Sequence, residues 1–223
     1  MVNVKEFNNQ RYRDEYGFCN QHSILLQKYL KKEYNVLDIG CGSGLLAASI
    51  KNNVNNVVGV DLSFSMLKHT LEKNIPCCLA NIDGIHLSFK DKCFDLVFAG
   101  EIIEHLYDTS FFLREIKRVL KESGILILTT PNLASLGRRL MLLVGKNPLI
   151  ESSLDIDSEN IPAGHIRYFV KSALEKLLIK SGFEIIKISS DEVILDMNGR
   201  IKSVLLAKLF PEIGRCLIVV CRT

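Results

Sequence analysis

Three glycines at alternate positions punctuate the stretch Val36-Leu37-Asp38-Ile39-Gly40-Cys41-Gly42-Ser43-Gly44, and an apolar segment, Leu45-Leu46-Ala47-Ala48-Ser49-Ile50, follows at once. An apolar run, a glycine turn and a second apolar run predict strand, tight turn and helix. Glycine adopts positive φ without penalty and carries no Cβ, so a ligand can lie against the backbone at the mouth of the helix. A nucleotide-like ligand is the first expectation.

The spacing narrows the ligand. Dinucleotide-binding turns run G-x-G-x-x-G and bring a pyrophosphate to the helix N-terminus. Here the pattern is G-x-G-x-G, with Asp38 two residues before its first glycine. A carboxylate at that point repels a pyrophosphate and suits a ligand carrying an ammonium and a sulfonium. This disfavours an NAD-dependent dehydrogenase. Seventeen residues after Gly44, the run Val57-Val58-Gly59-Val60-Asp61 predicts a second strand ending in an acid, placed to accept hydrogen bonds from both hydroxyls of a ribose.

With these residues in place, the sequence resembles the class I S-adenosylmethionine (SAM) dependent methyltransferases, in the type 11 and ubiquinone-biosynthesis-like branch. Val36 to Gly44 is similar to the first motif of that family, and Val57 to Leu67 to the second. Asn81-Ile82-Asp83 resembles the third, Phe94 to Glu101 the fourth and Leu120 to Leu128 the fifth. The likeness covers roughly residues 34 to 131, in order and at the family's spacing, and weakens beyond. It implies an α/β fold: a Rossmann-like, doubly wound, seven-stranded sheet, mostly parallel, with an antiparallel last strand. It implies SAM as methyl donor. Gly40, Cys41, Gly42 and Gly44 would approach its methionine and ribose portion, with Asp38 orienting the ammonium. Asp61 and Leu62 would meet the ribose, Met66, Asn81, Ile82 and Asp83 the adenine, and Glu101 the donor's reacting end. Met66 also fits a core position on its helix.

Length and composition agree with one soluble domain spanning 1–223, with an insertion at about 133–168. Hydrophobic content of 48% and charged content of 24% are ordinary for a globular protein. A net charge of +3 is too small to argue for nucleic acid, and no aromatic-rich basic stripe suggests a single strand. Seven scattered cysteines without a C-x-x-C pair give no disulfide or zinc framework. The first residues are polar, and the longest apolar runs are of strand length. A cytoplasmic enzyme is expected. Arg138 and Arg139, in an amphipathic stretch, leave peripheral membrane contact open, and the sequence does not set the oligomeric state.

Further elements follow from periodicity. Ser63 is placed as an N-cap ahead of Met66, Leu67 and Leu71. A helix beginning near Asp108 or Thr109 and stopping at Gly124 would turn Phe112, Ile116, Val119 and Leu120 inward, and Arg114, Lys117, Arg118 and Lys121 toward solvent. Leu136, Leu140, Leu143 and Val144 suggest a short amphipathic helix. The stretch 151–160 carries four acids and no base, and a long insertion at the active face suits a lid or acceptor site. Tyr12 and Tyr16 are lid candidates, but packing on the domain is the preferred reading for such aromatics.

Methyl transfer from a sulfonium is an in-line displacement in which alignment alone supplies ~7–11 kcal/mol. A hydroxyl acceptor must also lose its proton as it attacks. His105 is the first candidate base, since a free imidazole titrates near about 6.5. His165 is the second, and Glu104 stands beside His105. A purely structural role is the competing reading for each imidazole. Glu101-x-x-Glu104-His105 with distant His165 also resembles the metal-binding arrangement of small-RNA 2′-O-methyltransferases and of a ubiquinone-pathway branch. Glu-His pairs here also occur in family members without a metal, so no metal is assigned. The Asn/Asp-Pro-Pro-Tyr/Phe run of amino-directed enzymes is missing after the fourth strand, where the chain reads Ala99-Gly100-Glu101-Ile102. A small-molecule acceptor, including lipid-linked or glycan ones, methylated at oxygen, is the expectation. A catalytically silent SAM-binding module and a metal-using RNA 2′-O-methyltransferase are the alternatives.

Overall fold

In the computed structural model, residues 25–148, 164–196 and 201–223 are described. Their contacts form two compact units, one of residues 25–100, 108–127 and 222–223, the other of residues 101–107 and 128–221. The elements in chain order are β1 (Asn35–Ile39), α1 (Leu45–Ile50), β2 (Asn56–Asp61), α2 (Phe64–Glu72), β3 (Cys77–Leu79), β4 (Phe94–Gly100), α3 (Thr109–Val119), β5 (Leu120–Pro131), α4 (Leu136–Leu143), α5 (Lys171–Lys180), β6 (Glu184–Ser190), β7 (Val193–Ile194), β8 (Lys202–Ser203), α6 (Val204–Leu209) and β9 (Cys216–Arg222). Seven strands form one sheet in the order β3-β2-β1-β4-β5-β9-β6, and β7 pairs with β8 alone.

In the first unit the chain alternates strand and helix, which selects parallel pairing. β1 pairs in parallel with both β2 and β4, and β2 in parallel with β3. Val36, Leu37 and Ile39 are buried to within 1% exposure, as expected of a strand covered on both faces. The register sets Ile39 level with Val60 on one side and with Ala99 on the other. The C-terminal ends of β1, β2 and β4, at Ile39, Asp61 and Gly100, therefore finish close to one level. β9 runs the opposite way to β5. The Asn132 amide donates to the Arg215 carbonyl and the Thr223 amide to the Gly124 carbonyl, so positions advance on one strand as they recede on the other. The sheet is the seven-stranded, mostly parallel sheet with an antiparallel last strand that the sequence implies.

The predicted caps form. The Ser63 hydroxyl accepts from the Met66 amide, and Asp108 Oδ1 accepts from the Phe111 amide. Four expectations are corrected. α3 stops at Val119, not Gly124, because the Lys92 and Cys93 amides donate to the Arg118 and Val119 carbonyls and Leu120 turns extended. The inward face of α2 runs through Leu67 and Thr70, leaving Leu71 56% exposed. That of α4 runs through Gly137 and Arg138, with Gly137 lying against Ile194, so Leu143 and Val144 are exposed. Arg118 is also not a solvated lysine-like charge. Its guanidinium donates to Glu115, Asp91 and the carbonyls of Leu87 and Phe89.

In the second unit, Asn132 is fully buried and donates through its side-chain amide to the Glu212 and Gly214 carbonyls. Asp191, also fully buried, accepts from the Cys216 amide and from Arg215. The turn before β9 is thus tied at both ends. No described helix is long and apolar enough to cross a membrane. Tyr12, Tyr16 and the whole acidic stretch 151–160 lie outside the described residues.

Candidate functional site

The first unit carries the predicted donor residues. Gly40, Gly42 and Gly44 have φ of +73°, +51° and +75°, a conformation that side chains resist. The Gly40 and Cys41 amides both donate to the Val60 carbonyl at 2.7 and 3.0 Å, fixing the turn to the end of β2. A Cβ placed on Gly42 would meet nothing within 4 Å, so its outer side is open to a ligand. On its inner side Gly42 is held twice: its amide donates to Asp61 Oδ2 at 2.8 Å, and its carbonyl accepts from the Thr70 hydroxyl at 2.8 Å. Thr70 also limits the third glycine, since a Cβ on Gly44 would stand 2.9 Å from its side chain. The sequence reading missed Thr70. Only its place one turn after Met66 in a helix facing the glycines could have signalled it.

Two carboxylates flank the turn. Asp38 is 2% exposed, and its Oδ2 has no hydrogen-bond partner among the described residues. Burial, and then the charge of Asp61, push its carboxyl up to about 7. A buried acceptor without a partner is costly unless a ligand supplies a donor. An ammonium would do so and would favour the ionised form. Asp61 is oriented by two backbone donors, Gly42 and, at 2.8 Å, Ser63 to Oδ1, while burial raises its pKa. Cys41 is buried, and burial raises its thiol well beyond any nucleophilic range. Leu62 and Met66 are half-buried, as are Ile82 and Asp83, while Asn81 is exposed. The Asn81 side-chain oxygen accepts from the Asp83 amide at 3.0 Å, and Asp83 Oδ1 accepts from the Asp108 amide at 3.0 Å, linking the third-motif loop to the start of α3.

The predicted catalytic residues meet in the second unit. Glu104 is 1% exposed; its Oε2 accepts from the Thr130 hydroxyl at 3.0 Å. Its Oε1 lies 3.9 Å from Nε2 of His105 and 3.9 Å from Nε2 of His165. The Glu104 carbonyl accepts from the Ile166 and Arg167 amides, both at 3.0 Å, so the backbone itself brings His165 alongside. His105 Nδ1 is 3.3 Å from the Gly164 carbonyl, and the two rings stand edge to face with centroids 4.7 Å apart. A carbonyl can only accept, so Nδ1 carries a hydrogen, and in the neutral imidazole Nε2 keeps the lone pair. The atoms that Glu104, His105 and His165 can offer a cation lie within 4.8 Å of one another.

Glu101 does not join them. Its φ is +54°, and its Oε1 accepts from the Thr129 hydroxyl at 2.9 Å with the Cys216 thiol at 3.1 Å. Burial pushes its carboxyl up, toward the neutral form.

Residues 37–128 match the model of a methyltransferase domain. An uncharacterised protein of Methanocaldococcus jannaschii is 35% identical over 165 residues, covering 72% of this chain and 70% of that protein. A ubiquinone biosynthesis O-methyltransferase of Bradyrhizobium diazoefficiens is 33% identical over 108 residues, 44% of this chain and 40% of that protein. Among solved structures, a SAM-dependent methyltransferase of Thermotoga maritima superposes with a TM-score of 0.68 at 21% identity, over 98% of this chain and 95% of that one. With residues 37–128 matching a methyltransferase domain, a methyltransferase among the relatives and the fold described above, the chain belongs to the class I SAM-dependent methyltransferases.

Proposed function

We propose that this methyltransferase moves the methyl group of SAM to an oxygen of a small-molecule acceptor, and that the acceptor's hydroxyl meets Glu104, His105 and His165. The carrying observation is the bond from His105 Nδ1 to the Gly164 carbonyl, which turns an Nε2 lone pair toward Glu104 Oε1. An imidazole so oriented can take the hydroxyl's proton, and the carboxylate beside it stabilises the resulting charge. His165 is the second base. Chain continuity supports the placement at the acceptor: β4 ends level with β1, and Glu104 follows Gly100 by four residues. On the donor side, the orphaned oxygen of Asp38 would receive the ammonium and Asp61 the ribose hydroxyls. Glu101, next to the end of β4, would lie at the donor's reacting end. The whole chain would act as one methyltransferase domain, the insertion at about 133–168 shaping the acceptor site.

The test is SAM labelled in its methyl group, incubated with enzyme and host extract, with Asp61→Ala as the blank. Asp61→Ala should weaken SAM binding by about 1–3 kcal/mol, the scale of lost bonds to a charged group. Label in organic-soluble or water-soluble small molecules, as an ether or ester, is the expected result. Label in nucleic acid or protein would refute the acceptor class. SAM binding without label in any fraction would favour a silent binding module.

A further inference from the structure

We infer that the edge of the sheet opposite the glycine turn, at the start of β1, carries a second ligand site, in which Lys28, Lys31 and Arg222 hold the phosphate of a small phosphate monoester borne on a flat ring. The site goes beyond methyl transfer and rests on neither the donor nor the acceptor reading.

A cavity of about 400 Å³ opens there, lined in part by Lys28, Tyr29, Lys31, Tyr34, Ser123 and Arg222, all in the first unit. Its walls are fixed by backbone bonds. The Tyr34 amide donates to the Lys31 carbonyl, and the Tyr34 carbonyl accepts from the Asn55 and Asn56 amides, which holds the segment before β1 against the start of β2. Across the cavity, the Thr223 amide donates to the Gly124 carbonyl and its hydroxyl to the Lys121 carbonyl, so Arg222 is kept beside Ser123. Ser123 stands at φ +61°, a backbone for which glycine is the ordinary choice, and it brings a hydroxyl to the rim. The five residues of β1, at about 3.3 Å each, separate this cavity from the glycine turn by about 16 Å. The two places are distinct.

Charge selects the ligand. Among the described residues the lining holds three cations and no carboxylate. The side chains of Lys28 and Arg222 form no hydrogen bond or ion pair with described residues, and Lys31 rests over the Tyr34 ring, 5.5 Å from its centre. The acids nearby in the chain are engaged elsewhere: Asp95 accepts from the Asn35 amide and from Lys121, and Glu122 from Lys92. Glu33 is exposed and lies outside the lining. A neighbouring cavity shows the contrast, since there Lys92 and Glu122 face each other. Like charges gathered around one concavity repel, and a dianion relieves all three at once. A phosphate monoester carries nearly two negative charges at neutral pH and matches the guanidinium fork of Arg222. Tyr29 and Tyr34 are half-buried and offer ring faces to the body of the ligand. The volume suits a small molecule, at the lower end of the ~300–1,000 Å³ of ligand pockets.

The full chain is titrated in a calorimeter with phenyl phosphate, inorganic phosphate and phenol, and with uridine 5′-monophosphate as a larger ring. Phenyl phosphate should bind at one equivalent, at least about threefold tighter than inorganic phosphate, because the ring adds contact. Phenol should not register, and added salt should weaken the binding. Lys28→Ala and Arg222→Ala should each weaken it by at least about fivefold, a bond to a charged group discounted for exposure, with thermal melts showing that both variants fold. Lys92→Ala, whose charge is already paired with Glu122, should stay within about twofold of the wild type. The tighter of phenyl phosphate and the nucleotide gives the size of the ring. Absence of binding by both overturns the site. So does phenol bound as tightly as phenyl phosphate, inorganic phosphate bound equally well, an affinity that Lys28→Ala and Arg222→Ala leave unchanged, or an equal loss in Lys92→Ala. Phenyl phosphate displaced competitively by SAM would place it at the glycine turn and overturn the second site, while leaving the methyltransferase reading intact.

Discussion

Replacing Asp38 by Asn keeps the shape at the end of β1 and removes a charge that the empty fold holds at a cost. Its carboxyl rises from 3.8 to about 7, with burial as the first cause and Asp61 the second. At 1.36 kcal/mol for each unit of pKa, this amounts to about 4 kcal/mol against the ionised fold above neutral pH. The sign is fixed by linkage. An acid whose pKa is higher folded than unfolded holds its proton longer in the fold, so stability declines as pH rises between those two values. Asn escapes this, although its buried amide donors lack partners at a cost of about 1–3 kcal/mol. The net gain for Asp38→Asn without ligand is about 1–3 kcal/mol near pH 8, or about 2–10 °C in Tm for a chain of this size. Near pH 5, where the folded Asp38 is already protonated, the gain should vanish or reverse. On the placement proposed above, the same change removes the partner of the SAM ammonium, a charge-assisted bond in a buried place of about 1.5–3 kcal/mol, or about 10- to 150-fold in affinity. Differential scanning fluorimetry at the two pH values and calorimetry with SAM read both sides. An Asn variant that melts lower near pH 8, or that binds SAM as tightly as the wild type, would refute the assignment of Asp38 as the strained receptor of a cation.

Two further outcomes are expected. Thr70→Val deletes the hydroxyl bond to the Gly42 carbonyl and should lose about 1 kcal/mol of stability with a several-fold weaker SAM affinity, while Thr70→Ser restores both; equal affinity in the Val variant by calorimetry would remove Thr70 from the support of the turn. Glu115 is held down to about 2, first by its bond from Arg118 and then by His86 and the Leu87 amide, so its contribution is present above its unfolded pKa of 4.5 and lost as pH falls toward 2. Allowing for the solvent at Arg118 and His86, Glu115→Gln should cost about 1–2 kcal/mol at neutral pH and converge with the wild type in acid, and a deficit unchanged near pH 3 in thermal melts would count against the ion pair.

The backbone of the glycine turn was legible because each of its features demands a residue type near a strand end. Alternate glycines mark left-handed backbone, and acids at positions 38 and 61 mark two aligned strand termini. The long α/β alternation announced a parallel sheet, and the caps at Ser63 and Asp108 announced their helices. Contacts that depend on a helix's rotation were not legible. Thr70 reads as a neutral helix residue until its hydroxyl is seen on Gly42. Leu71, Leu143 and Val144 fit an apolar stripe by spacing, but the packing face of each helix falls one residue away. Glu101 and Glu104 are alike in sequence, three apart beside one histidine. The left-handed backbone at Glu101 sends its carboxyl to Thr129 and Cys216, and that of Glu104 goes to the histidines. No spacing rule separates the two.

The turn and the second strand also share a tighter relation. A Cβ on Gly59 would lie 2.6 Å from the Cys41 sulfur. Position 59 has no room for a side chain because position 41 has already filled it. The two sites therefore behave as a single volume divided between two codons. Added bulk at position 59 meets a steric barrier while Cys41 is in place, and drift in this protein's lineage would have to pass through a smaller residue at 41 before anything larger could settle at 59.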